Sequence, residues 1–304
     1  MPTRPLLPAT VPVLVRGPHR LQVGLEPFAV VLHHPAAAAL LERLDGHTTL
    51  PHLRRWAATS GLTSTDVDRV LGALDRAGLL GSPARSVATG AAVRLIGLGP
   101  LGQQVARLLL AAGLRVYAAA DQPDRGRRNE PPLADLQDLP RPHGARLTVV
   151  NHWSKPERGD LALTVVATDS VEPDRVLTDA LLRTDQPHLV LRAAGPTGTV
   201  GPLVLPGRTA CLRCTDLTRR DADPGWPLLL GQLTALRVRA SAVLVAWAAG
   251  VGVAQLLAHL QGELPEAAGA TVELTDRDHL MRWRAWPVHA GCGCAWAAQT
   301  EWAP

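Results

Sequence analysis

Four cysteines fall into two close pairs in this chain, Cys211-x-x-Cys214 and Cys292-x-Cys294. Each pair is a two-point clamp, and two clamps make a tetrahedral thiolate site of the kind zinc takes. Free buried thiols and disulfides are the competing readings. Paired spacing in a chain of cytosolic character favours zinc over both. Four thiolates leave no open coordination position, so the metal is expected to be structural. His289 is then surplus beside the second pair, and no cysteine is left for a thioester or persulfide relay.

The second constellation is Gly97-Leu98-Gly99-Pro100-Leu101-Gly102, which follows an apolar run and opens a helix expected over Gln103–Ala112. Gly97, Gly99 and Gly102 let the chain turn tightly and bring backbone N–H groups to a phosphate at the helix N-terminus. Asp121 closes the next strand, where an acid accepts from ribose hydroxyls. A purely structural strand–turn–helix connection fits the same residues. Pro100 has no N–H and removes one phosphate donor, so ATP with magnesium is expected to bind weakly or not at all.

The elements that must position these groups fall into three zones. The first opens with short apolar runs, Val11–Val15, Leu21–Val23 and Phe28–Leu32, with Gly17-Pro18 as a turn. Helices are expected over Ala37–Leu44, Leu50–Thr59 and from Thr63 to Gly78. The last begins in a capping-box pattern, Thr63 to Asp66, and carries the stripe Val67, Val70, Leu71, Leu74. This describes a winged-helix-like α+β module over residues 1–85, with a Pro- and Gly-containing linker at Ser82–Gly90. The second zone, to about Leu205, alternates strands with helices as a parallel sheet requires. Its strands are Val93–Ile96, Arg115–Ala119, Arg146–Val150, Leu163–Ala167 and His188–Arg192. The third holds the cysteine pairs, a long apolar helix and a hairpin-like stretch, Thr271–Trp286.

Lys155 is the only lysine among 31 basic residues, a bias that GC-rich coding explains as well as any demand for guanidinium. The net charge of +4 is scattered among acids, with no run of like charge to mark a nucleic-acid face. Met1–Thr10 has no apolar core of signal-peptide length. Ala240–Ala258 is uncharged but only moderately apolar, and reads as a buried core helix rather than a membrane span. A cytoplasmic protein without a membrane partner, and a homodimer, is expected.

Read in order, Gly97–Gly102, Asp121, Val165–Ser170, Ala194–Val200, the Cys-x-x-Cys pair and the ending Trp286–Cys294 resemble the ThiF/MoeB-type adenylyltransferase family, related to ubiquitin-activating enzymes. The resemblance covers about residues 90–295. It implies an α/β fold over 86–304: a Rossmann-like, mostly parallel sheet with helices on both faces, closed by the structural zinc site. It also implies ATP, magnesium and adenylation of a peptide C-terminal carboxylate. Asp169 is the position that resembles the family's magnesium-linked aspartate; a strand-end or helix-cap aspartate is the alternative. The chain departs from the pattern between Asp121 and Asp124, which are one residue further apart than Asp-x-Asp. No lysine follows until Lys155. Arg127 and Arg128 are the remaining candidates to clamp phosphate, and read equally as exposed loop charges.

Val13–Val23 and the helix end Ala77–Leu80 resemble the PqqD-type peptide-recognition module. Together the two halves resemble the partner proteins of YcaO cyclodehydratases, in which such a module captures a precursor's leader peptide by strand addition and the adenylyltransferase-like domain is a scaffold. The strand over Phe28–Leu32 is then expected at an open sheet edge, with Phe28, Val30 and Leu32 beside Val70 and Leu74 of the third helix. Val70 and Leu74 also read as ordinary core. Three functions follow: a leader-binding scaffold without ATP chemistry, an active adenylyltransferase, or a winged-helix and Rossmann redox repressor. The zinc pairs and a third helix whose only basic residues are Arg69 and Arg76 argue against the last.

Overall fold

A computed structural model describes residues 3–81, 91–120, 142, 144–154 and 161–295. The chain divides into two compact units, Met1–Ser86 and Val87–Pro304.

In the first unit, β1 (Val13–Gly17), β2 (Arg20–Val23) and β3 (Val30–His33) form an antiparallel sheet in that order. The β1–β2 turn is two residues long, and His19 takes a left-handed φ of 57° within it. The third strand starts two residues later than the apolar run suggested, because Phe28 N–H closes a turn onto Leu25 O at 3.0 Å. Three helices follow: α1 (Ala37–Leu41), α2 (Leu50–Thr59) and α3 (Ser64–Arg76). The capping box forms at α3, with Asp66 N–H donating to Thr63 Oγ1 at 3.1 Å and Thr63 N–H to Asp66 Oδ2 at 3.0 Å. Val67, Leu71 and Leu74 pack with Leu40, Leu44, Leu53 and Val23 into one core.

The second unit is a mixed α/β domain built on one eight-stranded sheet. In chain order it comprises β4 (Ala92–Ile96), α4 (Pro100–Ala111), β5 (Arg115–Ala119), β6 (Arg146–Val149), β7 (Leu161–Thr168), α5 (Arg175–Arg183), β8 (His188–Ala194) and β9 (Thr197–Val204). Then come α6 (Leu212–Ala222), α7 (Trp226–Ala235), α8 (Ala242–Leu260), β10 (Ala270–Thr275) and β11 (Met281–Ala285). The sheet order is β11-β10-β9-β8-β7-β4-β5-β6. From β6 to β8 all pairings are parallel, and from β8 to β11 all are antiparallel. The parallel half is a Rossmann-like arrangement with both faces covered, as its apolar strands require. Alternation along the strands shows it: Val93, Leu95, Val165 and Leu191 pack with α4 and α8, while Ile96, Val166 and Val190 pack with Leu177 of α5 and Leu212 of α6.

Among the described residues, α8 is the one helix long and apolar enough to cross a membrane. Here Leu244, Ala248, Ala249, Val253 and Leu256 turn one of its faces into the domain core.

Candidate functional site

The four cysteines, about eighty positions apart in sequence, meet in one cluster. Cys211 is the N-cap of α6 and Cys214 lies in its first turn, which puts both sulfurs at the same helix end. Cys292 and Cys294 arrive from the segment after β11. The Sγ atoms stand 4.0 Å apart for Cys211–Cys214, 3.5 Å for Cys211–Cys292 and 3.3 Å for Cys214–Cys294. All four lie within 4.8 Å of one another. A tetrahedron with metal–sulfur bonds of about 2.3 Å has edges of about 3.8 Å, so the cluster fits such an ion with small adjustments.

Electrostatics points the same way. The bond Cys211 donates to Cys214 raises the Cys211 thiol far above its ordinary range and lowers Cys214 to about 4. Burial pushes Cys292 up to about 12. Unaided, the sulfurs do not ionise together; a divalent cation at their centre is what allows four thiolates. His289 stays outside the sulfur set. Its backbone N–H donates to Cys214 Sγ at 3.4 Å, and its Nε2 meets Asp221 at 2.8 Å. The arrangement is closed, tying the start of α6 to the end of the domain.

At the glycine loop, α4 starts at Pro100, three residues before the expected Gln103, because a proline at the first helical position needs no N–H. Gly97, Gly99 and Gly102 come together for steric reasons. A Cβ on Gly97, whose φ is +112°, would lie 1.9 Å from Ala167 O, and one on Gly102 would lie 2.0 Å from Gly97 O. A Cβ on Gly99 would lie 1.5 Å from Asp169 Oδ2. The Asp169 carboxylate thus stands against the loop. Asp169 directly follows the end of β7, and its carboxylate stands at Gly99, the N-cap of α4, while α5 is capped by Asp174, which accepts from Val176 N–H at 2.8 Å. An acid in this place repels a phosphate unless a cation lies between them. Asp121, Arg127 and Arg128 lie outside the described residues.

In the first unit, β3 pairs with β2 alone among the described residues, which leaves its other edge open. A groove of about 290 Å³ runs between β3 and α3. Val30 and Leu32 line it from the strand, and Asp66, Arg69, Val70 and Ala73 from the helix. Two of the five expected peptide contacts stand elsewhere. Phe28 precedes the strand and is 64% exposed, and Leu74 is 0% exposed, turned into the core one helical turn beyond Val70. Asp66 and Arg69 were not anticipated as groove residues. Their i,i+3 spacing permits the 2.8 Å ion pair seen here, but nothing in it says that β3 lies opposite.

No family model and no curated protein sequence matches the chain. Solved structures do. The crystal structure of E. coli MccB with ATP superposes with a TM-score of 0.66 at 12% identity, over 95% of this chain and 99% of that one. The microcin C7 biosynthetic enzyme MccB in complex with N-formylated MccA gives 0.63 at 11%, over 96% and 99%. The heterocyclase TruD gives 0.59 at 14%, over 98% of this chain and 44% of TruD. At such identities the likeness shows the fold alone, one shared with MccB and TruD.

Proposed function

We propose that the chain is a leader-peptide-binding partner protein in the biosynthesis of ribosomally made azole or azoline peptides, working in the cytoplasm beside a YcaO-type cyclodehydratase. The observation that carries this reading is the open β3 edge facing α3 across an apolar groove with an ion pair at its rim. An extended peptide satisfies the free N–H and C=O groups of that edge and sets alternate side chains against Val30, Leu32 and Val70. On this reading the first unit is a PqqD-like recognition module. The second is a scaffold whose cysteine cluster holds structural zinc, and the protein acts as a homodimer. The fold shared with the heterocyclase TruD and with MccB, solved with N-formylated MccA, supports the setting.

A second reading, an active adenylyltransferase of a peptide carboxylate, is favoured by the Asp169 carboxylate at the glycine loop and by the ATP complex of MccB. Pro100, at the first position of α4, argues against it by withholding a phosphate donor. Three titrations of the full chain separate the readings: a precursor leader peptide, ATP with magnesium, and duplex DNA. Leader binding without nucleotide binding is the expected result. ATP binding with pyrophosphate exchange that depends on a peptide carboxylate would establish the adenylyltransferase. Salt-sensitive binding of DNA alone would establish a repressor.

A further inference from the structure

The antiparallel sheet of the first unit has two faces of different character. Leu21, Val23, Val30 and Leu32 alternate onto the face that meets the helices, Leu21 opposite Leu32 and Val23 opposite Val30. The other face carries Arg20, Gln22, Val31 and His33, with Arg20 directly opposite His33. On β1, Gly17 stands opposite Arg20, and Arg16 occupies the bulge between Val15 and Gly17. One end of this face is therefore a basic row that crosses the sheet and stops at His33, on the open edge of β3.

Among the described residues nothing neutralises that row. The three strands contain no acid, Arg16, Arg20 and His33 are exposed, and none of the three makes an ion pair. The groove side is different, because its Asp66 and Arg69 already satisfy each other at 2.8 Å. The uncompensated basic groups beside the edge thus lie on the face away from the helices. A strand added to β3 would extend the row by one position, since its residue opposite His33 stands on the same face, about 5 Å away. Arg20 is then two strand spacings off, about 10 Å, a gap that an arginine and a glutamate side chain span between them.

We propose that the peptide captured at β3 runs antiparallel to it and carries an acid at one fixed position, a Glu or Asp opposite His33 and within reach of Arg20. The proposal rests on the reading of β3 as a strand-addition edge and adds the register and the charge of what is added. The next residue of the peptide lies opposite Leu32, the one after it opposite Val31, and the third opposite Val30. Those facing Leu32 and Val30 turn into the apolar groove, while the one facing Val31 stays outside it. The recognised pattern is thus acid, apolar, any, apolar. A lysine in the first place meets the same basic groups with the wrong sign.

Fluorescence anisotropy tests this with three labelled peptides, Thr-Z-Leu-Ser-Leu-Thr with Z as Glu, Gln or Lys, each titrated with the full chain. The Glu peptide should bind tightest, the Gln peptide about 3-fold and the Lys peptide about 10-fold more weakly at low salt. The spread should shrink at about 1 M salt, where exposed charges are screened. Arg20→Glu, at an exposed position, should keep the parental Tm and place the Lys peptide ahead of the Glu peptide. Exchanging the Glu with the first Leu should weaken binding at least about 10-fold, since a charge then faces the groove. Equal binding of the three peptides, an unchanged order in the Arg20→Glu variant, or undiminished binding of the exchanged peptide would overturn the proposal and leave the groove reading standing. No binding of any of them, with or without a second copy of the chain on the edge, would overturn both.

Discussion

The cysteine cluster and the β3–α3 groove both gather residues that ordinary core building does not need, and they do so in opposite ways. In the cluster every strong ligand is turned inward and bonded to another, so an ion there has no free face for a substrate. In the groove the backbone of β3 keeps one edge unpaired among the described residues, and Val30 and Val70 stay part-exposed beside the buried Leu32. A closed donor set stabilises a fold, while an open edge is a liability unless something covers it. On the proposed reading the cluster serves structure and the groove recognition. That contrast breaks down if the cluster proves dispensable for folding or the groove inert.

The largest effect should come from the cluster. Cys214→Ser removes a sulfur that touches one of each pair, Cys211 and Cys294, and should abolish stoichiometric zinc. A loss of about 4 kcal/mol lowers Tm by roughly 10 °C for a domain of this size, which metal analysis and calorimetry would show. A metal-free variant as stable as the parent would remove the structural role.

Next comes Glu172, which opposes three arginines. Burial raises its carboxyl, but Arg192, Arg175 and Arg219 outweigh burial and hold it at about 2, against an ordinary 4.5. A depressed carboxylate contributes stability that is complete above the ordinary value and lost as pH falls towards about 2. Glu172→Gln leaves the arginines uncompensated and should cost about 3 kcal/mol at neutral pH. It should also flatten the acid limb of the stability profile between pH 4.5 and about 2. An unchanged acid limb would show that the network is not what titrates there.

Two positions on α3 sharpen the contrast within one helix. Leu74 lies in the core and Val70 at the groove. Leu74→Ala should destabilise the first unit by about 3 kcal/mol. Val70→Ala should leave Tm nearly unchanged and weaken leader binding about 5-fold, the loss of roughly one packed methyl pair. Equal effects of the two on stability would mean that Val70 is core as well.

The sequence revealed these regions unevenly, for physical reasons. The central parallel strands β4, β7 and β8 are legible because strands buried on both faces read as mostly apolar runs, as at Leu163–Ala167. β9 is not, because Gly198 and Gly201-Pro202 interrupt it. Gly198 sits under Trp247, and a Cβ on Gly201 would lie 2.2 Å from Ala270 O. Its glycines answer to neighbours that local sequence does not show. α7 is hidden for another reason: it is apolar without an amphipathic stripe, and none of its residues is buried. Cysteine spacing declares a ligand set directly, so the cluster was legible. The groove was only half so, since the stripe Val67, Val70, Leu71, Leu74 says which side of α3 is apolar but not where core gives way to groove. Arg192, the one charge in the run His188–Ala194, was the overlooked signal of the buried network.

The most direct test of the central claim uses the edge itself. In an antiparallel edge strand alternate residues point their N–H groups outward, so of Val30→Pro and Val31→Pro one removes a donor from the β2–β3 ladder and the other a donor from the open edge. Titrating the labelled leader peptide into the full chain and both variants, with melting curves in parallel, reads the two effects separately. Strand addition predicts that one variant keeps the parental Tm and loses leader binding at least about 10-fold, the worth of one or two edge hydrogen bonds. Parental affinity in both folded variants would contradict recognition at β3.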